Sequence, residues 1–216
     1  MFKKDAWNIV GGLSKPGKMP CHGFGLPAEY CRAGSKLRTV DGTVCFRCYA
    51  FGRGNYRFPC VKLAQQRRFD IISRVLESGP NSDRWNQLVT AFSTLLENET
   101  HFRFHDSGDL QSADHLELYC DIARAVPRCA CWIPTKEISI LSRYSAHLIP
   151  KNLIVRYSEP LLNRVSSYRG LNSATFDTPA EAACGFICPA PQQGNACGDC
   201  RACWNPAVET VIYAKH

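Results

Sequence analysis

His101-Phe102-Arg103-Phe104-His105, followed by Asp106-Ser107-Gly108-Asp109, is the stretch that decides how this chain folds. The first five residues read as a strand and the next four carry turn chemistry. A helix is expected over 112–125, and then the beat repeats. Cys129-Ala130-Cys131-Trp132-Ile133 reads as a second strand, closed by Pro134-Thr135-Lys136, with a helix expected over 136–146. Asn152 to Tyr157 gives a third strand and Ser173 to Phe176 a fourth. Strand, polar residue at the strand's C-terminal end, helix, next strand is the pattern of βα units around a mostly parallel sheet. The class is therefore α/β. The chain has 216 residues, too short for a complete eight-unit barrel of about 250. A partial (β/α) barrel or an open, mostly parallel sheet of four to six strands is expected.

Such folds place chemistry at the C-terminal ends of their strands. His105, Asp106 and Asp109 stand there, with Lys136 after the second strand and Arg156 on the third. An imidazole beside carboxylates can exchange a proton or bind a cation. Lys136 and Arg156 suit an anionic substrate group. These five are the candidate catalytic residues. No P-loop, dinucleotide-binding glycine motif, HExxH or GxSxG occurs in the sequence.

Working outward, residues 60–98 are helical in pattern. Val61, Ala64, Phe69, Ile72 and Leu76 form one stripe, and Trp85, Leu88, Val89, Phe92, Leu95 and Leu96 form another over 83–98. Residues 1–59 form a Cys/Gly/Pro-rich loop segment, 99–177 hold the strand-helix units, and 178–216 form a second Cys-rich segment. One domain over 1–216 is expected, with 210–213 as an edge strand.

The chain carries 13 cysteines. Cys21, Cys31, Cys45 and Cys48 in the first loop segment and Cys188, Cys197, Cys200 and Cys203 in the last are the candidate metal ligands. An odd total and a hydrophobic content of 45% argue against a disulfide framework. Cys197-x2-Cys200-x2-Cys203 matches the first three positions of the bacterial ferredoxin run, but Ala207 stands at the fourth. Paired CxxC knuckles would suit zinc, which leaves one thiolate of that run over. The cofactor expected is one or two iron-sulfur clusters, with zinc as the alternative. Cys120, Cys129 and Cys131 read as core thiols.

The formal charge is +7, which keeps nucleic acid open as a weak possibility. The basic residues are dispersed, and ligating thiolates would offset part of the excess. No apolar run approaches the roughly 18 to 20 residues of a membrane span. A cytoplasmic protein with no membrane partner is expected.

PGKMPCHGFGLP, VCFRCYA, FRFHDSGDLQ, WIPTK, NLIVRYS and CPAPQQGNACGDCRACW together resemble a family of phage and prophage proteins named only as gene product eighty-eight domain proteins. The blocks cover nearly the whole chain. The resemblance implies a phage or prophage origin, a single domain, and Cys31, Cys45, Cys48, Cys188, Cys197, Cys200 and Cys203 as the shared thiols. Cys21 and Cys60 fall outside that pattern. The YA after Cys48 is also similar to a second phage family distantly related to radical S-adenosylmethionine enzymes, although the CxxxCxxC triplet of those enzymes is absent. The expected function is an iron-sulfur protein, either an enzyme or a redox protein, with an open cluster site and a small or nucleotide-like substrate. The alternatives are a zinc-stabilised binding or effector protein, and an electron-transfer or cluster-storage protein.

Overall fold

The computed structural model describes residues 1–215. Seven strands form one sheet in the order β1-β2-β3-β4-β5-β7-β6. They are β1 Gly23–Phe24, β2 His101–Phe104, β3 Ala130–Thr135, β4 Leu153–Leu162, β5 Asn172–Phe176, β6 Phe186–Ile187 and β7 Thr210–Ala214. Every ladder between them is parallel. The two-residue strands β1 and β6 stand at the edges, so the sheet is open. Edges this short offer little template for pairing with another chain.

Six α-helices accompany the sheet: α1 Lys3–Val10, α2 Arg32–Leu37, α3 Pro59–Ser78, α4 Asp83–Leu96, α5 Ala113–Ala125 and α6 Ile138–Leu141. Their starts follow from local chemistry. Pro59 begins α3, where its missing N–H is no loss. The hydroxyls of Ser82 and Ser112 accept from the backbone N–H groups of Trp85 and His115 and cap α4 and α5. The Trp85 indole N–H then donates to Asp121 at 2.9 Å and ties α4 to α5.

The strands bury both faces against different partners. Phe102, Phe104, Cys131, Ile133 and Leu153 join Val10, Ile72, Trp85, Phe92 and Leu116 in one large helical-side core. The residues between them point the other way. Arg103 is in register with Trp132, and Trp132 with Ile154. On this second face Trp132 and Ile154 pack with Cys21 and Trp204 in a small cluster closed by the Cys-rich C-terminal segment. Cys129 and Cys131 sit in the main core, as does Cys120.

Four differences from the sequence expectation have physical causes. The sheet has seven strands, because β1 and β6 are too short to show periodicity. Residues 210–214 do not form an edge strand: β7 pairs with β5 on one side and β6 on the other. The helix expected over 136–146 shrinks to Ile138–Leu141, since Ser139, Ser142 and Ser145 favour turns over helix interior. The opening residues form α1, which ends at Gly11 in the left-handed conformation with φ 78°. No helix among the described residues is long and apolar enough to cross a membrane.

Candidate functional site

The second sheet face opens into a cavity of about 780 Å³. Arg103 and Trp132 come to it from β2 and β3, and Tyr213 from β7. Residues 13–19 and 49–56 wall it on the N-terminal side; Cys188, Cys197 and Cys203 wall it on the C-terminal side. The Arg103 guanidinium lies over the Trp132 ring, 4.6 Å from its centroid. One of its terminal nitrogens donates to the His105 carbonyl at 3.3 Å. Tyr56 and Tyr49 donate their hydroxyls to the Asp106 carbonyl at 3.1 and 3.5 Å, which hangs this wall on the turn after β2. Gly25 lies under that turn, where a Cβ would fall on the Asp106 carboxylate and force it to swing aside.

The thiols sort into two groups. In the first, the thiols of Cys31 and Cys45 both lie against Gly34: a Cβ on that glycine would sit 3.4 Å from the Cys45 sulfur and 3.7 Å from the Cys31 sulfur. Burial pushes the Cys31 thiol up, and the charges of Asp109, Cys45 and Cys48 add to this while Lys136 opposes it. The Cys45 thiol is raised by burial too, against the pull of Lys136. In the second group Cys200 lies near Cys188, and both lie near Cys197. Burial raises the Cys188 and Cys197 thiols, and neighbouring thiols reinforce it. The Cys203 thiol is pushed up to about 11 by burial, although the Tyr213 hydroxyl lies 3.1 Å away and opposes the shift. Backbone bonds hold this group in place: Cys188 donates to Ile212, and Cys197 to the Lys18 carbonyl at 2.9 Å.

Cys21 is buried beside Trp132 and Trp204, its thiol pushed up to about 12 by burial first and Cys129 second. All 13 thiols are free. Among the described residues, no three His, Cys, Asp or Glu side chains are drawn in to the distances of a bound metal ion. The donor chemistry of each group nonetheless suits a thiolate-ligated centre. Neighbouring thiols add to the burial that raises Cys31, Cys45, Cys188, Cys197 and Cys203, and a bound cation would oppose that rise.

Of the five polar candidates, only Asp106 lines the cavity. His105 has φ 55° and turns its buried ring into the helical side, where Nε2 lies 3.1 Å from the Tyr119 hydroxyl. Asp109 is a buried brace. It accepts from the Thr135 hydroxyl at 2.6 Å, the Lys136 N–H at 2.9 Å and the Leu110 N–H at 2.8 Å. Burial raises its carboxyl to about 6 against those hydrogen bonds. Lys136 donates from Nζ to the Ser158 hydroxyl at 2.6 Å, on the side of the first thiol group. Arg156 is apart from all of these, 0% exposed, with its donors turned to backbone carbonyls. Arg103, Trp132, Tyr56 and Tyr213 were not among the candidates. Their signal was available in part: Arg103 falls between two phenylalanines on β2, so it must face away from the core they build.

His105 and His115 form a buried neutral pair, with rings 5.6 Å apart. Burial lowers both, and His115 falls to about 3. The unfolded chain takes up protons near the ordinary histidine value of about 6.5, while the folded chain does not. Stability contributed by their neutrality is therefore present above about 6.5 and is lost as pH falls from there toward about 3, at up to about 1.4 kcal/mol per pH unit for each ring. Asp109 acts with the opposite sign between its ordinary value and about 6. The expected result is that His115→Phe flattens the fall in urea midpoint between pH 6.5 and 4.5 relative to wild type, an interval inside the His115 window. Parallel curves for the two proteins would refute the assignment.

A family model described as Gene product 88 matches residues 3–206. No curated protein and no solved structure matches the chain, and the likeness to radical S-adenosylmethionine enzymes gains no support from these comparisons.

Proposed function

Because the chain belongs to the Gene product 88 family of phage proteins, for which no activity is assigned, we propose a function from the thiols themselves: an iron-sulfur protein with two thiol groups, the C-terminal one on the wall of a ligand-sized cavity and the N-terminal one beside Lys136. Cys31, Cys45 and Cys48 would form an open three-thiolate site. Cys188, Cys197, Cys200 and Cys203 would form a closed four-thiolate site. The observation that carries this reading is the placement of seven free thiols in two groups: Cys31 and Cys45 against Gly34, with Cys48 three residues on from Cys45, and Cys188, Cys197 and Cys203 on the wall of the cavity, with Cys200 between the last two in sequence. In this reading the Cys-rich N- and C-terminal loop segments close the metal site. A cluster on three thiolates leaves one iron free to bind a substrate or an exchangeable ligand. Lys136 would offset the negative charge of the open site, and Asp109 would hold Lys136 in place through its backbone N–H. An enzyme or redox role in the host cytoplasm follows most directly.

The four C-terminal thiols also make a complete donor set for tetrahedral zinc, which favours a second reading as a zinc-stabilised binding protein. One experiment separates the two. Protein purified without oxygen should be brown, absorb near roughly 400 nm through iron-thiolate charge transfer, and contain iron and acid-labile sulfide. Colourless anaerobic protein with stoichiometric zinc would establish the second reading and end the first.

A further inference from the structure

We propose that the cavity binds a small molecule built from a flat ring and an oxyanion, carboxylate or phosphate, with Arg103 anchoring the anion. The inference goes beyond the metal reading and does not require it. Ser14 Oγ, Arg103 Nε and Trp132 Nε1 are buried without a hydrogen-bond partner, and all three residues line this cavity. Trp132 is only 4% exposed. A buried donor left unpaired costs about 1–3 kcal/mol, and three of them on residues that line one cavity are groups that an acceptor entering it relieves once the side chains shift to meet it. Two of the three are N–H donors only, and neither can be satisfied by a cation.

Charge and shape agree. Lys15, Lys18, Arg53, Arg68 and Arg103 line the space against one carboxylate, Asp106, and the thiols of Cys188, Cys197 and Cys203, so positive groups outnumber negative ones even with those three thiols ionised. Arg103 is already fixed from two sides, by the Trp132 ring beneath it and the His105 carbonyl beside it. An anchored guanidinium loses little further freedom when it takes an oxyanion. Tyr49 and Tyr56, packed edge to face with centroids 5.5 Å apart, supply ring surface on the opposite wall. The volume of about 780 Å³ lies in the range of small-molecule sites.

The test uses the protein as isolated without oxygen, with iron, zinc and sulfide measured on the same sample, so failure of the metal reading is seen separately. AMP, benzoate and inorganic phosphate are titrated in by calorimetry. AMP or benzoate should bind with Kd at or below about 1 mM, and inorganic phosphate more weakly. Benzoate without AMP assigns a carboxylate ligand, and AMP without benzoate a phosphate one. Arg103→Gln should weaken binding about tenfold or more, with partial rescue by Arg103→Lys, which keeps the charge and loses the fork. Trp132→Phe keeps the ring, removes the indole N–H and should weaken binding measurably by itself; it decides the matter if Arg103→Gln does not fold. No binding of any of the three probes up to about 10 mM overturns the proposal, as does unchanged affinity in a folded Arg103→Gln or, failing that variant, in Trp132→Phe.

Discussion

Replacing Arg156 by leucine should destabilise the fold by about 4 kcal/mol or more, a large part of the roughly 5–15 kcal/mol that holds a domain together. Its guanidinium donates to the carbonyls of Ala202, Cys203, Asn205, Val208, Glu209 and Asn172, at distances from 2.8 to 3.3 Å. They surround a side chain that is itself 0% exposed; the bonds to Asn172 and Ala202 are fully buried and the other four partly so. A leucine would pack in part of that space but would leave these acceptors without donors, at about 1–3 kcal/mol for each one that water cannot reach. Arg156→Lys should rescue little, because an ammonium carries three donors on a point charge instead of a planar fork of five. Urea denaturation with a parallel measurement of protease cleavage after residue 200 would check this. Both variants should unfold at lower urea, and the C-terminal segment should be cut first. A midpoint equal to that of wild type would show that the carbonyls find other partners.

The second large effect concerns the thiols. If the two groups hold separate centres, changing Cys31, Cys45 and Cys48 to alanine should remove one cluster's iron and sulfide and leave the other. For two four-iron clusters, about four of about eight iron atoms would go. Changing Cys197 and Cys200 should remove the complementary share. It should also lower stability more, because the Cys197 N–H ties that segment to Lys18 and the Cys203 carbonyl accepts from Arg156. Iron, sulfide and the anaerobic spectrum of each variant check the outcome. Parallel loss of all iron from both variants would replace two sites by one bridging centre. No loss from either would remove the cysteines from the list of ligands.

The sheet was legible where the chain repeats itself. HFRFH, CACWI and NLIVRY each announce a strand, and turn residues and a helical stripe separate them. Short pieces carried no such signal: Gly23–Phe24 and Phe186–Ile187 have two residues each, too few to display a period. Spacing speaks only for chain neighbours such as Cys45 and Cys48, which must stay close; Cys21, grouped with them by sequence, packs instead beside Trp132 and Trp204. What each thiol group faces was not legible. Arg156 shows why most clearly. A buried arginine on a strand looks from sequence like a ligand for an anionic substrate, yet its partners are main-chain oxygens as much as 53 residues away. Every residue has such an oxygen, so nothing in the side-chain alphabet marks the ones that Arg156 holds. The cavity was hidden for a related reason: its walls come from residues 13–19, 49–56, 188–197 and the strands, and only the fold brings them together.

The place of β7 between β5 and β6 also sets an order of events during synthesis. β6 leaves the ribosome before β7 but pairs with β7 alone. Until residues 210–214 emerge, β6 has no ladder to join, and the loop carrying Cys197, Cys200 and Cys203 has no second anchor. The nascent chain can assemble the sheet from β1 to β5 while that loop is still open to solvent. If the C-terminal thiols take a metal, as proposed, it can reach them on an unanchored loop before the last strand pairs, and only on an anchored one afterwards.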